Sequence, residues 1–402
     1  MRARRPLLVL SLPMALALSA CTGAGTPAPS TGIDVGTAAS SQSPATSSGT
    51  GTTPEDASQP RLTWGSGQEA TWGEAVTPVT SMSTPVGTVA PVLAKAQPVG
   101  WGFLEGKVLS SQNAVDSFDA ATNSFSQHPT VAWGDRAVGT SRGLSDALPG
   151  QVIAMAATKD AVVWAEATSA DVAASSWRIY RSEPDGSDVT PLFASFDVGD
   201  EPFASTRMVV AGGKAFFLIG LEASRQLVAV SLDGSQQDLV PAGGATDVWL
   251  AGGEAEVLWD RLQGDEIQVV KSPAAKPHEA AVVLAAKAED AAPLRLLAAS
   301  GTHALIGTGD RLAVVDVEAK ELRQVAGFTP ARLDEGTAGA GGGRSAIRVD
   351  AGFADGSSAL SVAPDGEVEL LTLPATEGGL AVDANRIAVT STDKQLTVVA
   401  VD

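Results

Sequence analysis

The sequence predicts an all-β fold built from a repeated four-stranded unit and preceded by a disordered tether. Three observations predict it. From about Arg61 to Asp402, short apolar runs alternate with turns rich in Gly, Asp, Asn and Pro. No stretch in that span holds a 3.6-residue apolar period over the roughly ten to twelve residues a helix needs. The runs also recur in a constant order: apolar strand, tight polar turn, apolar strand, gap, third strand, Asp-Gly or similar turn, last strand.

One copy, spanning 152–193, reads VIAMA, TKD, AVVWAEA, WRIYRSE, PDGSD, VTPLF. Another, spanning 207–241, reads RMVVA, GGK, AFFLIGLE, QLVAVS, LDGSQ, QDLVP. Looser copies begin near Pro98, Asp247, Leu294, Ser345 and Gly379. Units at intervals of roughly 35–55 residues have the spacing of propeller blades, so the expectation is a β-propeller of seven blades, with six or eight as the neighbouring counts. Runs such as VVWAEA and FFLIGL are apolar at consecutive positions, which suits strands covered on both faces by adjacent blades. The Asp-Gly pairs at 185–186, 233–234 and 365–366 suit the turn between adjacent strands, because Gly tolerates positive φ. The last unit ends after three strands. Its fourth is expected from the start of the domain, within VGTVAPVLAK at 86–95, closing the ring.

These repeats resemble those of bacterial TolB-like or YVTN-type β-propellers across 61–402. The resemblance rests on strand rhythm and Asp-Gly turns. There is no repeated YVTN string, no regular Gly-His and Trp-Asp pairs of the WD40 kind, and the unit lengths vary. It implies a fold and leaves activity open, since propellers host many functions.

The 402-residue chain has one cysteine, Cys21. Ahead of it stand a basic head with Arg2, Arg4 and Arg5, an apolar run too short to span a bilayer, and then small residues, the layout of an export signal. Leu18-Ser19-Ala20-Cys21 resembles the lipobox of bacterial secreted lipoproteins. The resemblance implies cleavage before Cys21, attachment of diacylglycerol to its sulfur and acylation of the new amino end, with palmitate-like chains. The Arg4-Arg5 pair fits a twin-arginine route only loosely, and the general export route is favoured. Residues 1–20 are thus expected to be a signal peptide. Residues 21–60, mostly Ser, Thr, Gly, Ala and Pro, are too poor in apolar area to offset their ordering entropy. They form a disordered tether with a root-mean-square reach of roughly 35 Å, and 61–402 form the propeller.

Cleavage takes three arginines from the 27 basic residues and leaves 24 against 46 acidic ones, a net charge of −22. Such a surface repels phosphate backbones and anionic lipid heads, so nucleic acid is a poor partner and membrane attachment must come from the lipid. With a single thiol, neither an internal disulfide nor a cysteine-based zinc cluster can form.

Candidate chemistry is thin. Gly139-Thr140-Ser141-Arg142-Gly143 matches the nucleophile-elbow pattern G-x-S-x-G, but LSDALPGQ follows where a helix is required, so a surface loop is expected. His128, His278 and His303 stand in no metal-binding or triad spacing and read as loop or strand-edge residues. Asp135, Asp197, Asp200 and Glu201 lie in gaps where propeller loops gather, and DVGDE at 197–201 is only a fragment of a Ca²⁺ motif. The Gly-rich run Gly339-Ala340-Gly341-Gly342-Gly343 lacks the Lys-Ser/Thr of a phosphate loop and reads as a flexible connection. Trp64, Trp72, Trp101 and Trp133 read as wedges between blades rather than as a glycan platform.

No catalytic, cofactor-binding or metal residue is assigned; the site residues are Cys21 and its lipobox Leu18, Ser19 and Ala20. No cofactor is predicted, and Ca²⁺ lacks a supporting motif. The expectation is a monomeric, lipid-anchored module on the extracytoplasmic side of a bacterial cell membrane, binding an envelope protein or cell-wall glycan. Its rivals are a glycan- or lactone-hydrolase or quinone-dependent dehydrogenase on the same ring and, more remotely, a solute-binding lipoprotein of a transporter.

Overall fold

The computed structural model describes residues 60–401 except 94, 115, 145–146, 170–175, 206, 252–254, 289–293, 331–332, 350–356 and 392. Cys21, its lipobox and the tether lie outside the described residues.

The described strands form seven sheets of four or five strands, and each sheet is one blade of a seven-bladed β-propeller. Blades 1 to 6 span 96–139, 151–194, 209–241, 248–287, 295–324 and 333–373, and blade 7 spans 376–400. Within each blade consecutive strands pair antiparallel. The first strand of each blade is innermost and packs beside the first strands of the two neighbouring blades, the last blade meeting the first.

This meander sorts the connections. Turns between first and second strands, and between third and fourth, lie at one end of the ring, here called the lower end. Turns between second and third strands, and the crossings to the next blade, lie at the upper end. The three Asp-Gly pairs occupy third-to-fourth turns, with Gly186, Gly234 and Gly366 at φ of 87°, 71° and 85°. Asp185, Asp233 and Asp365 each accept a hydrogen bond from the backbone N–H two residues on, the Asx-turn that makes Asp-Gly a turn signal.

Ring closure follows the expected route. The strand Thr84–Val89 pairs antiparallel with Leu396–Ala400 and completes blade 7, overlapping the predicted 86–95. The residues ahead of it have a role that the repeat pattern does not disclose. Leu62–Trp64 adds a fifth strand to blade 4, Trp72 and Val76 bridge in parallel to Leu322 and Val325 of blade 5, and Val79–Met82 pairs in parallel with Val368–Leu373 of blade 6. Residues 62–89 are therefore a belt along the outer edges of four blades. It caps edges that would otherwise present unpaired backbone groups, and its Leu62 and Trp64 are buried.

Two expectations need correction. Blade 6 begins at Leu333, not near Ser345. Its innermost strand is Leu333–Gly341, so the Gly-rich run is a strand and a tight turn rather than a flexible connection. A Cβ on Gly339 would lie 2.2 Å from the Leu380 carbonyl oxygen, and one on Gly341 2.2 Å from that of Val382. The glycines are there because the innermost strand of blade 7 passes too close for any side chain. In blade 1 the third strand is Thr130–Trp133. Residues 113–119, NAVDSFD, which the apolar rhythm offers as the third strand, instead end the second strand and enter a small ribbon in which Phe118–Asp119 pairs with Ser124–Phe125.

The cores lie between blades. Trp177 is fully buried with Phe193, Phe203 and Phe217 between blades 2 and 3. Trp164 and Trp259 fill corresponding positions. Among the described residues no helix is long and apolar enough to cross a membrane.

Candidate functional site

The channel is the natural place to look for a site, since seven innermost strands converge there. A cavity of about 410 Å³ occupies its lower half, within the usual size range of small-molecule pockets. Six blades contribute to its wall, including Trp101, Met155, Met208, Trp249, Ser300 and the Gly341–Gly343 turn. Among the described residues the only charged one lining it is Arg207.

Arg207 precedes the innermost strand of blade 3, and Asp247 precedes that of blade 4. Their side chains meet across the blade boundary, Nε to Oδ2 at 3.5 Å, and are 15% and 11% exposed. The Arg207 guanidinium carbon lies 4.3 Å from the centroid of the Trp249 ring, a cation–π contact. Burial pushes the guanidinium pKa down and the neighbouring Asp247 charge opposes that shift. Among the described residues, neither Arg207 Nε nor Trp249 Nε1 has a hydrogen-bond partner, although both atoms are buried.

A second cavity of about 580 Å³ opens at the upper end among blades 3, 4 and 5. Asp247 lines it together with Glu222, Arg225, Arg295, Thr246 and Leu262. Beneath it Asp260, fully buried, accepts hydrogen bonds from the backbone N–H of Thr246 at 2.7 Å and of Leu296 at 3.2 Å, and from the Thr246 hydroxyl. Desolvation raises its pKa to about 6 against these hydrogen bonds. Asp260 thus ties blade 4 to blade 5 at the cavity floor.

The elbow motif takes an unexpected place. Ser141 is fully buried rather than on a surface loop. Its hydroxyl donates to Glu166 Oε2 at 2.9 Å, and His128 Nδ1 lies 3.0 Å from the same oxygen. Serine, histidine and an acid are therefore brought together, but the serine stands in the middle. With its proton donated to the Glu166 carboxylate, the oxygen accepts from His128, which is the reverse of general-base activation. Trp164 Nε1 donates to the other Glu166 oxygen at 2.7 Å. Burial raises the Glu166 pKa to about 7, opposed by the bonds from Trp164 and Ser141, while burial lowers that of His128. Gly139 is required by packing, since a Cβ there would meet the Trp164 ring at 2.8 Å. The cluster locks blade 1 to blade 2.

The remaining candidates do not converge. Asp135 lies in a lower-end turn of blade 1, whereas Asp197, Asp200 and Glu201 sit at the upper end after blade 2. There Asp197 accepts the Ala194 N–H and the Glu201 carbonyl accepts Trp177 Nε1. His278 is exposed, 3.7 Å from Asp238. His303 stands at a strand start as expected and is buried there, 3.5 Å from Asp316, under the Asp365-Gly366 turn. No group of three His, Cys, Asp or Glu among the described residues could hold a metal. Trp64 is buried in the core, Trp72 and Trp133 are half-buried under Arg311 and Arg136 respectively, and Trp101 faces the channel.

Sequence reasoning missed Arg207 and Asp247. The signal was present: each opens the apolar first run of its unit, RMVV and DVWL, with opposite charges in consecutive units.

Fold and channel together define a seven-bladed β-propeller with an axial cavity. No family model matches the chain, and no curated protein matches it. Solved structures resemble it at low identity. The β-propeller domain of Cps50 (Swd1) from Myceliophteria thermophila is 11% identical, covering 80% of this chain and 100% of that one with a TM-score of 0.46. Hydrazine synthase of Kuenenia stuttgartiensis is 9% identical, covering 79% and 99% with a TM-score of 0.49. BamB from Moraxella catarrhalis is 10% identical, covering 79% and 99% with a TM-score of 0.39.

Proposed function

We propose that this chain is a lipid-anchored, extracytoplasmic β-propeller that acts as a binding or scaffold module, meeting an envelope protein or cell-wall partner with the upper end of its ring. The observation that carries the reading is the placement of its exposed apolar side chains. Phe118, Leu148, Phe196, Leu221 and Leu262 are all exposed, and all five belong to upper-end connections or strand ends of blades 1 to 4. No large apolar side chain among the described residues is exposed in a lower-end turn. The other exposed large apolar side chains, Val79, Met82, Val86 and Leu239, lie on outer-edge strands; of the two ends of the ring, the upper one carries the exposed apolar groups among the described residues, which suits a contact surface. The anchor rests on the lipobox at Cys21, and the TolB-like or YVTN-type kinship on strand rhythm.

Photo-crosslinking in membranes of the native host tests the surface. Crosslinkers at Leu221, Leu262 and Phe196 should capture one common envelope component, while one at Asp135 on the lower end should not. Equal capture from both ends would remove the proposal. Feeding an alkyne-tagged fatty acid tests the anchor separately: label should enter the wild type and be absent from Cys21→Ala.

A further inference from the structure

We propose that the lower channel cavity is a binding site for a small organic carboxylate with an apolar body, held by Arg207 and Trp249. The inference is independent of the upper-end surface.

Charge and hydrogen-bonding capacity carry it. Arg207 is a permanent cation, largely withdrawn from water, and the only charged residue lining the cavity among the described residues. Its described contacts are an Asp247 oxygen 3.5 Å from Nε, too poorly placed for Nε to donate a hydrogen bond to it, and the face of the Trp249 ring. A guanidinium has five N–H donors in a planar fork, and among the described residues none of them donates to a protein acceptor. The Trp249 N–H is in the same condition although the residue is 2% exposed. Leaving buried donors unmade is costly, so this wall is built to be completed by an acceptor that comes and goes.

The chemistry of the wall selects the occupant. A planar carboxylate matches the guanidinium fork in two parallel hydrogen bonds. Asp247 beside the fork disfavours a second negative charge, which excludes a dianionic phosphate and leaves a monoanion. The rest of the described wall combines the apolar side chains of Trp101, Met155 and Met208 with Ser300 and glycine backbone, and its apolar part suits an aromatic or aliphatic body. At the lower rim Gly301, Gly342 and Gly343 present backbone without side chains.

The test is calorimetric titration of the full chain with benzoate, hexanoate, neutral benzamide and inorganic phosphate. Saturable binding of benzoate or hexanoate is expected, with benzamide weaker by about tenfold or more, the loss of a charge-assisted pair, and phosphate weaker than the organic acids. Asp247→Asn should bind benzoate more tightly because a competing carboxylate is gone. The neutral pair Arg207→Gln with Asp247→Asn should lose benzoate, and Trp249→Phe should weaken it. The comparison of benzoate with benzamide needs no variant, so it stands even if a substitution impairs folding. Absence of saturable binding by both acids at millimolar concentration would overturn the proposal. So would equal binding of benzoate and benzamide, phosphate binding as tightly as the acids, or benzoate binding undiminished when Arg207 is gone.

Discussion

Arg207 Nε and Asp247 Oδ2 face each other at 3.5 Å across the boundary of blades 3 and 4, Arg207 lining the lower cavity and Asp247 the upper one. The pair is the partition between two chambers of the ring, and each charge is the other's counter-ion in a poorly hydrated place.

Breaking this pair from one side should cost more than removing it whole. Asp247→Asn strands a guanidinium and is expected to lower stability by about 2–4 kcal/mol. Arg207→Met combined with Asp247→Asn should lose less than that single variant. Urea unfolding of the three proteins measures the difference, and a double variant less stable than Asp247→Asn would contradict the buried-pair reading.

Stability should fall as pH rises through the weakly acidic range. Glu166, near 4.5 unfolded, is raised to about 7, and Asp260, near 3.8 unfolded, to about 6. Between those limits the folded state holds protons that the unfolded state has released. The protonation stability is therefore complete below the unfolded values, is lost as pH climbs through the folded ones, and changes little above about 7. For Glu166 the span is on the order of 3 kcal/mol. Thermal melts from pH 5 to pH 8 should show a falling midpoint, and Glu166→Gln should flatten the decline above about pH 6.

Ser141 is expected to behave as a structural residue. Fluorophosphonate reagents should leave it unlabelled in the native protein, because it has no accessible surface. Ser141→Ala should cost about 1–3 kcal/mol by leaving Glu166 and His128 without their shared partner. Stoichiometric labelling of Ser141 under native conditions would reinstate the nucleophile.

The belt should matter through its buried face only. Leu62→Ala is expected to cost about 2–5 kcal/mol, since Leu62 is fully buried against blades 4 and 5. Met82→Ala, on the same belt but 77% exposed, should change stability by no more than about 0.5 kcal/mol. Chemical denaturation of both variants checks the contrast.

Blades 2 and 3 were legible nearly residue for residue, because VIAMA, AVVWAEA, RMVVA and AFFLIGLE are doubly covered strands and carry unbroken apolar runs. The innermost strand of blade 6 was not. Residues 333–341 contain almost no large apolar group, since close approach of the neighbouring backbone at the axis demands glycine where strand patterns demand Val or Ile. The belt was hidden for the opposite reason: Val79–Met82 and Thr84–Val89 are mostly exposed, so nothing but hydrogen bonding to distant edges makes them strands. The G-x-S-x-G string, expected as a surface loop, is buried instead, and its first glycine answers to the bulk of Trp164, a residue 25 positions away.

By itself the sequence determined the all-β class, the repeated blade, the Asp-Gly turns and the route of ring closure. Each of these follows from local physics, namely the two-residue period and apolar runs of covered strands, positive φ at glycine and the count of strands in the last unit. Only the tertiary structure decided which residues share the channel. Arg207, Trp249 and Gly341 come from three different blades, and their meeting depends on closure of the ring, a long-range condition that no local pattern encodes. The same closure buried Ser141 and set Arg207 against Asp247, turning residues ordinary in sequence into a lined, charged cavity.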